Sequence, residues 1–188
     1  MTDFTILFNK IESLLYKDMV VVAIDGGSAS GKTTLGNILR EKYNCTVLHM
    51  DDFFLRPEQR TPERLNEVGG NIDKERFLKE VLIPLKERKD VFYRKFNCIN
   101  MKLEDPELII PKKLVIIEGA YSLHPELRYF YDLTVFLDIN KELQKDRILN
   151  RNTEKMANRF FNEWIPLEQV YFEKLKIKEH SEIIIKII

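Results

Sequence analysis

The chain has 188 residues, 44% of them hydrophobic and 32% charged, which is enough for one globular domain with a buried core. Thirty basic residues balance thirty acidic ones, so no net field draws it to nucleic acid or to an anionic membrane. No apolar run reaches the ~20 residues of a membrane helix. The start, "MTDFTILFNKIESLLYKD", carries early acids and no long apolar stretch, unlike a secretory leader. Cys45 and Cys98 lie far apart without metal spacing and read as free thiols in a reducing, cytoplasmic setting.

Within an N-terminal segment 1–18, Phe4, Leu7, Phe8, Ile11, Leu14 and Leu15 fall at helical intervals, which predicts a packing helix over 4–16. "MVVVAID" (19–25) is a continuous β-branched run suited to a central parallel strand. A glycine-rich loop follows, then a helix over about 32–43. "TVLHM" (46–50) is a second strand, ending at "DDFF". Residues 55–72, rich in Pro, Gly and charge, read as a long irregular connection. Residues 73–88 have helical periodicity with Asp73 as N-cap. Residues 90–111 predict a small β-excursion. "KLVIIEGAY" (113–121) and "LTVFLDI" (133–139) are further buried strands. The stretch 140–180 reads as helices, with breaks near Asn152–Thr153 and at Pro166, before a last strand at 182–187. Strands alternating with helices predict one α/β domain over 1–188 around a mainly parallel sheet. The loops at 26–31, 51–56 and 118–123 would meet at its carboxyl edge.

Gly26–Thr33 matches G-x-x-x-x-G-K-[ST] between a strand and a helix. Glycines let the backbone take positive φ and turn amide N–H groups toward an anion. The candidate ATP-binding set is Gly26, Gly27, Ser28, Ala29, Ser30, Gly31, Lys32, Thr33 and Thr34. Lys32 can reach the β- and γ-phosphates, and the Thr33 hydroxyl suits Mg²⁺, which prefers hard oxygens. Glu118, ending a strand, is a second candidate for Mg²⁺. Asp51 and Asp52 end the second strand, where side chains alternate, so one of them should face the site. A carboxylate there could accept the proton of an attacking hydroxyl. Arg147 and Arg151 lie four apart on a predicted helix and share a face, with Arg159 further on. Arginines over the phosphates would stabilise a transferring group. His49, His124 and His180 are isolated and read as structural or surface residues.

The ordered set "GGSASGKTTL", "DDFF", "NID", "IIEGAYSLHPEL", "YDLTVFLD" and an arginine-bearing helix resembles the phosphoribulokinase/uridine kinase family, from about residue 19 to the C-terminus. The resemblance implies a P-loop NTPase fold of the nucleoside monophosphate kinase-like type. This is a three-layer α/β sandwich with about five parallel strands, a helical lid and a small β-excursion. It implies ATP, Mg²⁺ and transfer of the γ-phosphate to a hydroxyl of a small molecule. A nucleoside leads, with nicotinamide riboside, a sugar or a sugar phosphate as alternatives. A homo-oligomer is compatible with it, and a nucleotide-dependent switch is the reading from another class. By position, Asp51 matches the family's catalytic aspartate, Glu118 the acid near Mg²⁺, and Asp73 the acid that holds sugar hydroxyls. Tyr93 matches a substrate-side aromatic, and Arg147 and Arg151 fall in the lid. Uridine kinases carry a histidine shortly after that tyrosine; here the region reads "YRKFNCIN", with Cys98 near that place. Arg56, Arg60 and Arg64 in the long loop could serve a phosphorylated acceptor.

Overall fold

The computed structural model describes residues 2–188; Met1, at the head of the segment 1–18, lies outside the described residues. The helices are α1 (Thr5–Leu14), α2 (Lys32–Tyr43), α3 (Pro62–Asn66), α4 (Lys74–Phe77), α5 (Ile83–Lys86), α6 (Pro125–Arg128), α7 (Lys141–Arg151), α8 (Glu154–Arg159) and α9 (Ile165–Lys174). The strands are β1 (Val20–Gly26), β2 (Thr46–His49), β3 (Val91–Tyr93), β4 (Phe96–Asn97), β5 (Lys102–Leu103), β6 (Glu107–Ile109), β7 (Leu114–Glu118), β8 (Leu133–Ile139) and β9 (Ile183–Ile187).

Five strands form one parallel sheet in the order β2-β7-β1-β8-β9. Side-chain alternation splits each central strand between two cores. Val20, Val22 and Ile24 face α1 and α2 with Leu7, Ile11, Leu35 and Leu39. Val21 and Ala23 face the other layer, with Phe77, Val81, Leu127, Tyr171 and Phe172. Both faces are covered, which is why the strands read as unbroken apolar runs. The α/β fold with a parallel sheet expected from those runs, and the five-stranded three-layer form that the resemblance implies, are the ones observed. Among the described residues no helix is long and apolar enough to cross a membrane.

The excursion consists of two antiparallel pairs, β3 with β6 and β4 with β5. Residues 55–72 are more ordered than an irregular connection. They hold a 3₁₀ turn at Pro57–Gln59 and the short α3, which Thr61 caps by accepting a hydrogen bond from Arg64 N at 3.2 Å. Arg64 braces this segment through Gly70 O (3.1 Å), Ile72 O (2.9 Å) and both oxygens of Glu75 (2.7 Å each). Its guanidinium is therefore committed to holding the loop.

The expected helix break at Pro166 is replaced by a wide turn. Residues 160–164 form a π-turn that leads from α8 into α9, and residues 78–82 do the same ahead of Pro84. Proline lacks an N–H and its ring clashes with the carbonyl four residues back. A π-turn moves that carbonyl aside, so the helix passes the proline. The break at Asn152–Thr153 does occur, and Thr153 caps α8.

His124 caps α6 from a buried position, 6% exposed, with Nδ1 accepting from Glu126 N at 3.3 Å. Burial, aided by Lys74, pushes the ring down to about 4. An unfolded histidine protonates near 6.5, so this group favours the fold fully above that pH. Its contribution is lost as the pH falls toward 4, by roughly 3 kcal/mol. Asp25 and Asp51, both raised to about 6, act with the opposite sign over this window. The comparison is therefore between variants: His124→Gln should lose less stability than the wild type between pH 6.5 and 4 in denaturant titrations. Parallel curves would refute the assignment.

Candidate active site

The carboxyl ends of β1, β2 and β7 stand side by side, with His49 opposite Glu118 and Ile24 opposite Glu118 in register. β1 runs into the phosphate loop. Gly26 has φ +147°, and a Cβ there would sit 2.5 Å from Leu137 O on β8, so only glycine lets the loop leave the sheet at this point. Lys32 Nζ bonds to Gly26 O (2.7 Å) and Gly27 O (3.1 Å), lying back along the loop. The first amides of α2 have no partner within the helix and open an anion site at its N-terminus. Ser30 Oγ is buried in the loop without a hydrogen-bond partner among the described residues.

Thr33 Oγ1 donates to Glu118 Oε1 at 3.1 Å, and His49 Nδ1 donates to the same oxygen at 2.6 Å. That bond raises the His49 ring above its ordinary value, against the effect of burial. Glu118 therefore bridges the phosphate-loop helix and the end of β2. The pair Thr33 and Glu118 is a hard-oxygen set that fits Mg²⁺ carried by a polyphosphate.

Asp51 and Asp52 sit in a 3₁₀ turn, Met50–Phe53, rather than on the strand, so strand alternation is not what separates them. Tyr93 separates them. Its one hydroxyl proton has Asp52 Oδ2 (2.8 Å) and His49 O (2.9 Å) as acceptors within reach, the charged Asp52 being the stronger, and its oxygen accepts from His49 N (3.0 Å). The Tyr93 ring is buried, edge-on to Phe53 at 5.3 Å, so it shapes the turn from behind. Arg76 supports the same turn by donating to Asp52 O (3.2 Å) and stacking 4.0 Å over Phe53. Asp51 faces the cleft. Gly119 makes room for it, since a Cβ there would meet Met50 Cβ at 2.8 Å and Asp51 Oδ1 at 3.2 Å. The Asp51 side chain opens onto the cleft, so the packing around it limits hydration without removing it. That crowding, with Lys32 opposing and Glu118, Glu168 and Asp52 adding negative charge, pushes the carboxyl up to about 6.

Asp73 is 1% exposed and caps α4 by accepting from Arg76 N at 3.1 Å. Among the described residues its Oδ2 has no hydrogen-bond partner, with Arg76 Nε at 3.4 Å and Arg56 Nε at 3.9 Å. Arg56 also bonds Gln59 and Glu58, and Arg60 donates to Leu55 O at 3.0 Å. Cys98 is exposed, and its thiol is pushed up by partial burial, with Arg60 opposing and Asp51 and Asp52 adding to it. Arg60 also lies 5.8 Å over the Phe96 ring of β4, which ties the excursion to the segment 55–72. Cys45 is the buried one, and both thiols are free.

Arg147 reaches the phosphate loop and donates to Ala29 O at 3.1 Å. Arg151 stacks over Phe160 at 5.6 Å, and Arg159 pairs with Glu163 at 3.1 Å and lies over Trp164 at 4.8 Å. Of the lid arginines, Arg147 contacts the loop while the other two contact lid residues.

Sequence reasoning assigned no site role to several residues found here. Asp25, fully buried, accepts from Gly26 N (2.7 Å), Leu123 N (3.0 Å) and Tyr171 OH (2.9 Å). Its burial pushes it up to about 6. His49 is tied to Glu118. Glu168 and Gln144 bond Ser28 of the loop. The one sequence signal was Asp25 itself, the lone charge in an otherwise apolar strand.

Comparison with known proteins agrees with this geometry. The chain is 28% identical over 187 residues to uridine-cytidine kinase D of Dictyostelium discoideum, covering 91% of this chain and 37% of that protein. It is 30% identical over 143 residues to the uridine kinase of Chlamydia pneumoniae, covering 71% of this chain and 62% of that protein. It thus spans less than two thirds of the length of either relative. The solved structure of a possible uridine kinase from Bacillus stearothermophilus shares the fold. Its TM-score is 0.66 at 21% identity, covering 96% of this chain and 99% of that one. The model of the phosphoribulokinase/uridine kinase family matches residues 21–159, which carry the phosphate loop, both aspartates of the turn, Glu118 and Arg147. The chain belongs to the phosphoribulokinase/uridine kinase family.

Proposed function

We propose that this protein is an ATP- and Mg²⁺-dependent kinase that transfers the γ-phosphate to a hydroxyl of a small molecule. One observation carries the reading. Lys32, the Thr33–Glu118 pair and the open carboxylate of Asp51 converge on one edge of the sheet. Asp51 accepts the proton of the attacking hydroxyl as the new oxygen–phosphorus bond forms, while the bond from the γ-phosphorus to its bridging oxygen breaks and ADP leaves. Lys32 and Arg147 spread the charge of the loose transferring group. Thr33 and Glu118 would hold Mg²⁺, which neutralises phosphate charge when bound.

The acceptor that fits best is a nucleoside, with a uridine-like riboside first. Asp73 supports this: its buried Oδ2, ion-paired with Arg76 yet without a hydrogen bond among the described residues, suits a sugar hydroxyl as donor. The second reading is nicotinamide riboside, a sugar or a sugar phosphate, supported by Cys98 near the place where uridine kinases carry a histidine and by Arg56 beside Asp73. The test is coupled ADP release with ATP against nucleosides, nicotinamide riboside, pantothenate and sugar phosphates. Stimulation by one class identifies the acceptor. ADP release indifferent to every acceptor would instead favour a nucleotide-dependent switch.

A further inference from the structure

We infer that Glu168 is a positioning residue for the phosphate loop, and that both stems of the lid are anchored to one loop residue, Ser28. The inference rests on the kinase reading above. Glu168, on α9, accepts from Ser28 N at 2.9 Å through Oε2 and from Ser28 Oγ at 2.5 Å through Oε1. Gln144, on α7, donates to Ser28 O at 2.8 Å. Every polar group of Ser28 is thereby engaged by a helix flanking α8. Arg147, one turn along α7 from Gln144, holds the next carbonyl, Ala29 O, at 3.1 Å.

These contacts meet where the loop is strained. Ala29 has φ +62°, a left-handed conformation without glycine's freedom. Such a residue persists where its surroundings over-determine it. Here the surroundings are Glu168, 3% exposed, and Gln144, 5% exposed, on either side of the crown. One turn beyond Glu168, Tyr171 bonds Asp25 at the root of the same loop. α9 therefore grips the loop at both crown and root.

The chemistry of Glu168 is informative. A buried carboxylate beside a polyphosphate site opposes the ligand's charge. It gives nothing to phosphate directly, since its oxygens can only accept. What it supplies is a two-point, charge-assisted hold on Ser28 from outside the loop. That hold keeps the crown in place while the amides at the start of α2 face the phosphates. It also ties the loop to the helix that continues, through the π-turn at 160–164, into the lid.

The test separates grip from charge. Glu168→Ala removes both bonds to Ser28, and it should weaken ATP binding by about tenfold or more. The acceptor KM should stay at the wild-type value, because the hydrogen bonds of Glu168 go to Ser28 of the loop and to no residue of the acceptor side. Glu168→Gln can accept from Ser28 N and donate to Ser28 Oγ, so it should restore ATP binding to within about threefold of wild type. The readouts are calorimetric Kd values for ATP with Mg²⁺, acceptor KM, and a melting curve for each variant. Glu168→Ala that binds ATP like wild type overturns the inference, as does a loss shared equally by ATP Kd and acceptor KM. Should Glu168→Ala fail to fold, Gln144→Ala carries the test from the other stem. It should weaken ATP by about fivefold with acceptor KM unchanged, and no change overturns the anchoring. A wild-type protein that binds no adenine nucleotide would overturn the kinase reading itself. Wild-type binding with unaffected variants removes the positioning role alone.

Discussion

Lys32→Ala is expected to lower acceptor-dependent phosphoryl transfer by roughly 10²- to 10³-fold or more, with a folded protein by melting curve. The ammonium lies within 2.7 Å of Gly26 O and 3.1 Å of Gly27 O, so it is held along the loop and not packed in the core. Removing it takes away the loop's own cation, while the backbone amides that bind phosphate remain. The loss should therefore appear in kcat as well as in the KM for ATP, because charge on the transferring group grows toward the transition state. Turnover near the wild-type rate in this variant would end the kinase reading.

Asp51→Asn should reduce kcat by roughly 10²-fold or more while leaving ATP affinity within a few-fold of wild type. Asp52→Asn should do less, because Asp52 Oδ2 is already bound to the Tyr93 hydroxyl at 2.8 Å and supports the turn. The reverse ranking would assign the base to Asp52. A pH profile adds an independent readout. Asp51 must be ionised to accept a proton, and crowding with neighbouring negative charge raises it to about 6. kcat/KM should then fall as the pH drops through about 6, above the ordinary carboxylate range, and this limb should vanish in Asp51→Asn.

Local patterns carried much of this protein's architecture. β1, β7 and β8 were legible because a strand covered on both faces must be apolar at every position. The loop at 26–33 was legible because phosphate binding by backbone amides demands glycines and a lysine at fixed spacing. Pro166 misled, since a proline's local effect is a break, and only the π-turn at 160–164 shows how the helix passes it. The turn at 50–53 misled in its mechanism, because strand alternation does not apply to a 3₁₀ turn. Tyr93 had a place in the family pattern, but its contact with Asp52 spans 41 residues.

The sequence by itself determined the α/β class, the phosphate loop and the acids that follow β2 and β7, since each depends on a short run of neighbouring residues. The tertiary structure alone decided that His49 and Thr33 share Glu118, and that Glu168 and Gln144 hold Ser28. Those contacts join residues 69, 85, 140 and 116 positions apart. No local pattern encodes them, because a buried hydrogen bond depends on where two distant backbones are brought together by the packing of the cores between them.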